Sequence, residues 1–224
     1  MSVFFLRKKL FIITGYILSF LITTTSLICA VIINNAYVYK HERSFYFLVS
    51  ENPHLQVSGF EIQMENGAGY LVESGDDKYI ALSVYLRESD GNKALESASE
   101  RFDDLKVLSV GSANLYFKNR TEKREAKSII NGLNTLLGGI RALNNEITRL
   151  EKGATQESSK RILTDLAKPL GYLGTENEYF QSAGAIAVDT IKKSIADIVY
   201  LKDLRYLLCQ LCMEYTRICA KFSL

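Results

Sequence analysis

Residues 10–33 (LFIITGYILSFLITTTSLICAVII) run for 24 positions without a charge, and they restrict this chain more than any other stretch. As a helix at roughly 1.5 Å per residue they would be about 36 Å long, against an apolar bilayer thickness of about 30 Å. In lipid a lone segment satisfies its backbone only as a helix, and its threonines can bond back to the preceding turn. The expectation is a transmembrane helix over 10–33. Arg7, Lys8 and Lys9 stand directly before it, so residues 1–9 should be cytoplasmic and the bulk extracytoplasmic. A cleaved signal peptide has a shorter apolar region and ends in small residues, which this stretch does not. Residues 34–43 then read as a linker, with Tyr37 and Tyr39 suited to a headgroup layer.

The remaining charge is uneven. Residues 44–119 hold six Lys/Arg against twelve Asp/Glu, and residues 120–224 hold sixteen against twelve. That shift suggests a boundary near residue 120. No dense basic stripe marks a nucleic-acid binder, so no nucleic-acid partner is expected.

Residues 44–50 (SFYFLVS) are aromatic and β-branched and read as a strand, stopped by Pro53. Residues 55–66 permit a short helix or an irregular strand; the length needed for a crossover favours the helix. Residues 70–72 and 78–86 flank the turn signal Ser74-Gly75-Asp76-Asp77 and read as a hairpin, the second arm alternating with a period of two. Residues 92–105 form an amphipathic helix pattern entered through Ser89 and Asp90. Residues 107–110 are a short β run, and 115–117 extend it or form another. The order strand, helix, strand, strand, helix, strand makes a small α+β sandwich.

The block GAGYLVESGDDKYIALSVYLRESDGNKALESASERF resembles the second half of a SPOR (sporulation-related repeat) domain. The resemblance lies in Gly67, Gly69 and Tyr70, then Lys78, Tyr79, Val84 and Tyr85, then Asp90, Ala94 and Leu95, and covers residues 44–118. It implies a four-stranded ferredoxin-like βαββαβ sandwich in a single-pass membrane protein. It also implies binding of peptidoglycan glycan strands lacking stem peptides, at division or sporulation septa, through an open sheet face. The chain departs from the family pattern at Leu48 and Ile80, where a polar residue and an Arg are common.

If Phe45, Phe47, Val49, Ile80, Leu82 and Val84 face the helices, alternation sends Tyr46, Leu48, Ser50, Tyr79, Ala81, Ser83 and Tyr85 to the other face. Tyr46, Ser50, Tyr79, Ser83 and Tyr85 are therefore the candidate glycan-binding residues, because tyrosines pair an apolar body with a polar tip. The competing expectation is that C-terminal helices cover this face, since a bare patch so apolar is unusual.

Beyond residue 121 the texture is helical. Ile129, Leu133, Leu136, Ile140, Leu143, Ile147 and Leu150 recur at heptad spacing. Gly132, Gly138 and Gly139 weaken that helix locally or mark a close contact. Gly153 and Thr155 separate it from a second helix closed by Pro169 and Gly171. Residues 176–222 read as one long, mostly helical segment, and the three helices as an antiparallel bundle over 121–224. Cys209, Cys212 and Cys219 share a helical face. A zinc site there lacks a fourth ligand, so buried packing and no metal or cofactor are expected.

No nucleophile motif, phosphate loop or located carboxylate pair is present, and no enzyme activity is expected. Two functions follow as expectations. One is a membrane-anchored envelope protein that binds peptidoglycan glycan through the SPOR-like sheet. The other is a membrane-anchored scaffold that binds envelope or division proteins through its bundle and sheet face.

Overall fold

The computed structural model describes residues 18–26, 37–40, 42–50, 67–99 and 104–223. Its elements are β1 (Tyr37–Tyr39), β2 (Arg43–Ser50), β3 (Tyr70–Ser74), β4 (Asp77–Tyr85), α1 (Glu88–Ser99), β5 (Leu105–Ser112), β6 (Leu115–Phe117), α2 (Arg120–Glu151), α3 (Gln156–Glu176), α4 (Gln181–Ala196) and α5 (Leu201–Lys221). The fold class is α+β.

The expected N-terminal transmembrane helix is corrected. No helix among the described residues is long and apolar enough to cross a membrane. Within 10–33 the described helix covers 18–26, a rise of about 14 Å against about 30 Å of hydrocarbon. Its Thr23, Thr24 and Thr25 hydroxyls donate to the carbonyls of Ser19, Phe20 and Leu21 at 2.8, 2.8 and 2.6 Å. The expected helix at 55–66 lies outside the described residues.

Four strands form an antiparallel sheet in the order β3-β4-β2-β5. The β3–β4 hairpin turns at Gly75-Asp76, where Gly75 adopts φ of 64°, a region that residues with a Cβ resist. Part of the expected linker is itself a strand: β1 pairs with β6, Val38 opposite Tyr116, in a separate two-stranded sheet.

Alternation along β4 fails at one point. Leu48 lies opposite Ser83 and Val49 opposite Ala81, so Leu82 is an extra residue in β4. A bulge of this kind shifts which side of the sheet the following residues face. Val84 therefore joins Phe45, Phe47, Val49 and Ala81 in one core, while Ile80 and Leu82 join Leu48 in another. The expected grouping of Ile80, Leu82 and Val84 with Phe45, Phe47 and Val49 is corrected on that ground.

Each face of the sheet has its own cover. Ala94, Leu95 and Ala98 of α1 pack on Leu48, Ile80 and Leu82. The opposite face meets α5, whose Tyr215 ring stands edge-on to Phe45 with centroids 5.5 Å apart. The same core continues into the bundle through Ile129, Leu133, Leu136, Ile140 and Leu143 of α2, so it crosses the composition boundary near residue 120. Apolar burial at roughly 25 cal/mol per Å² makes this shared core the main force joining sheet and helices.

The bundle has four helices where three were expected. The heptad stripe from Ile129 to Leu150 lies within α2, whose N-terminus is closed reciprocally: the Glu122 amide donates to Asn119 Oδ1 at 2.8 Å and the Lys118 amide to Glu122 Oε2 at 2.8 Å. Thr155 caps α3 as expected. Pro169 does not close it; α3 continues to Glu176 because Pro169 is exposed, so the carbonyl it leaves without an N–H partner can meet water. The segment 176–222 is broken twice, by a short 3-10 turn at Glu178–Phe180 and by the non-helical residues 197–200. Gly174 and Gly184 bring α3 and α4 together: a Cβ on Gly184 would lie 2.7 Å from the Gly174 Cα.

Candidate functional site at the junction of sheet and bundle

Of the five residues singled out as a glycan face, Tyr46, Ser50, Ser83 and Tyr85 lie on the side covered by α1 and Tyr79 on the other. Tyr46 and Tyr85 are cross-strand neighbours beneath the start of α1; a Cβ on Gly91 would meet Tyr46 Cβ at 3.5 Å and Tyr85 Cδ2 at 3.6 Å. Ser50 is 1% exposed opposite Ile80, and Ser83 is buried opposite Leu48. Burial pushes the Tyr85 phenol up, against a hydrogen bond with Ser83. Tyr79 packs with the other core, on the α5 side. Lys106 Nζ donates to its hydroxyl at 3.3 Å and lies 4.3 Å from the ring centroid, while that hydroxyl donates to Asp77 Oδ2 at 3.1 Å.

Cys209, Cys212 and Cys219 are buried free thiols on α5. Burial raises all three thiol pKa values, that of Cys219 to about 12, so thiolate chemistry is suppressed there. No cluster of three metal-ligating side chains occurs among the described residues.

A groove of about 600 Å³ opens where β2, the β4–α1 turn and α2 meet. Three arginines from these three elements border it. Arg43 opens β2, and its backbone N–H donates to Ser112 Oγ at 3.0 Å across to β5. Arg87 enters α1, its carbonyl accepting from the Asp90 and Gly91 amides at 3.2 Å each. Arg141 projects from α2 beside Asn144 and Asn145; spacings of three and four put these on one helical side. Among the described residues, Asp90 is the one carboxylate lining the groove.

No salt bridge or side-chain hydrogen bond among the described residues involves these three guanidinium groups. Two of them act on one buried phenol. Burial pushes Tyr215 well above its ordinary range, and the charges of Arg43 and Arg141 oppose that rise. The groove thus concentrates positive charge beside a covered sheet. A larger groove of about 740 Å³ runs between α3 and α4, bordered by Gly171, Gly174 and Gly184; of its charges, Asp189 is already paired with Lys193 at 2.7 Å.

Sequence reasoning missed the arginine groove. Its three cations are far apart in the chain, and only the packing of β2 and the β4–α1 turn against α2 unites them. No protein-family model, curated protein or solved structure matches this chain.

Proposed function

We propose that this is a non-enzymatic binding protein of the cell envelope, and that it takes cell-wall glycan in the junction groove instead of on the sheet. The carrying observation is the convergence of Arg43, Arg87 and Arg141 on one open cavity while both sheet faces are packed against helices. Glycan strands without stem peptides bear free carboxylates, which guanidinium groups hold in bidentate fashion. The SPOR resemblance of residues 44–118 supports a place at the envelope.

The test is sedimentation of the full chain with purified wall sacculi. Recovery in the pellet, lowered by salt, supports the proposal. Protein that stays in the supernatant, while crosslinking recovers an envelope protein, replaces it with the scaffold function.

A further inference from the structure

We infer that the outer edge of β5 is an interface between two copies of this chain, which pair antiparallel along it about a two-fold axis and join their sheets.

β5 is an edge strand in the order β3-β4-β2-β5. It pairs with β2 through eight consecutive residue pairs without a shift in register, so no bulge turns it out of the sheet. An edge strand carries backbone N–H and C=O groups that its single neighbour cannot take. Among the described residues, no hydrogen bond beyond that pairing reaches residues 107–111. The strand that follows is closed by the chain itself: the Tyr116 amide of β6 donates to the Phe222 carbonyl at 2.5 Å.

Native sheets guard an edge with charge, proline, bulges or short strands. The opposite edge follows that rule. β3 is five residues long and carries Glu73, paired with Lys78 at 3.3 Å, and its Tyr70 lies against Tyr206 of α5 with ring centroids 5.2 Å apart. β5 is eight residues long, with no proline and one charge, Lys106. That charge is turned away from the edge. Its Nζ reaches back past β2 to the Tyr79 hydroxyl of β4 at 3.3 Å and lies over the Tyr79 ring.

Leu105 and Val107 pack on the α1 side and Leu108 and Val110 on the α5 side, yet all four are only half-buried. Helices touch both faces of β5, so the surface left open on these side chains lies toward the edge. A second strand there would bury it.

The fit of the strand to itself selects a second copy as that occupant. An antiparallel register centred on Leu108 sets Leu108 opposite Leu108 of the other copy, Val107 opposite Ser109, Leu105 opposite Gly111 and Lys106 opposite Val110. Apolar residues then meet apolar or small ones, and the two lysines are not opposed. Opposed residues share a side of the sheet, so each helix layer continues on its own side. The two-fold arrangement uses up both β5 edges and closes, which gives a dimer and not a fibre. One strand and four apolar side chains per copy make a small interface, so the dimer is weak and concentration-dependent.

The full chain is followed by sedimentation over increasing concentration, with hydrogen exchange read at the β5 amides. The mass should rise from that of one chain, 25.2 kDa, toward twice that value, and residues 107–111 should gain protection as it does. Val110→Lys sets a lysine opposite Lys106 of the other copy, twice in each dimer, and should weaken dimerisation about tenfold. Val110→Glu sets a carboxylate there and should leave dimerisation as strong or stronger. Both variants place a charge at one half-buried position and share residues 10–33, so a folding defect or association through that apolar stretch would affect them alike. Circular dichroism checks the fold. A mass of one chain at every concentration, or equal association of the two variants, overturns the inference. So do protected amides at residues 107–111 at dilutions where only single chains are present, because another segment of the same chain then occupies the edge.

Discussion

Glu146 is 1% exposed, and the Ser159 hydroxyl donates to its carboxylate at 2.5 Å across the turn between α2 and α3. Arg149 Nη1 supplies a second donor at 2.7 Å, and Arg149 Nη2 reaches Ser158 Oγ at 2.9 Å. A carboxylate at a core position of a helix pair is tolerable only while donors surround it. Glu146→Ala leaves the buried Ser159 hydroxyl without its acceptor. A charged hydrogen bond contributes roughly 1.5–3 kcal/mol, so the variant should lose about 2 kcal/mol in urea denaturation. A loss under about 0.5 kcal/mol would show that the network is incidental.

The glycines of the bundle divide by what surrounds them. Gly138 faces open space on α2, so Gly138→Ala should stabilise the protein by about 0.5–1 kcal/mol through helix propensity. Gly184 lies against the Gly174 backbone, and Gly184→Ala should force α3 and α4 apart at a cost of about 1–3 kcal/mol. Thermal melts of the two variants should therefore shift in opposite directions. A shared direction would contradict the close α3–α4 approach.

The α5 thiols give the fold a definite alkaline limit. Burial raises Cys219 from its ordinary 9.0 to about 12, and Cys209 and Cys212 also rise. In that interval the folded chain retains protons that the unfolded chain releases. The stabilisation is complete below about pH 9 and is lost as pH climbs toward 12, by up to about 1.4 kcal/mol per pH unit for each thiol. Cys219→Ala should flatten the decline of the urea midpoint over this window relative to the parent. At pH 8 the native thiols should resist a disulfide reagent and become reactive on unfolding; rapid native labelling would refute their burial.

Local pattern made part of this architecture legible. The heptad stripe from Ile129 to Leu150 marks α2, and the turn at Gly75-Asp76 marks the hairpin, because each signal is confined to one element. The bulge at Leu82 carries no such mark: Leu82 continues the alternation perfectly, and only its register against Leu48 and Val49 exposes the change of side. That single residue sends Tyr79 to the opposite side from Tyr46 and Tyr85. Pro169 misled for the reverse reason, since a strong local breaker was outweighed by packing of Leu170 and Leu173 in the core. The arginine groove has no local signature at all, being made by tertiary packing of three distant positions.

The break between α4 and α5 also lacked a sequence signal, for Ile198-Val199-Tyr200 contains neither Gly nor Pro. Its stabilisation is tertiary. The Val199 amide donates to Gln156 Oε1 at 2.8 Å, and Gln156 Nε2 donates to the Val199 carbonyl at 3.2 Å. One side-chain amide thereby replaces the backbone pairing that a continuous helix would provide, while Val199, 3% exposed, anchors the corner in the core. Gln156→Ala removes both bonds and should cost about 2 kcal/mol, at roughly 1 kcal/mol for each. Gln156→Glu keeps an acceptor for the Val199 amide but offers no donor to its carbonyl, so hydrogen exchange at Val199 should accelerate less than in the alanine variant. Equal acceleration in the two would mean that the Val199 amide does not depend on the Gln156 oxygen, and that the corner is held by apolar packing alone.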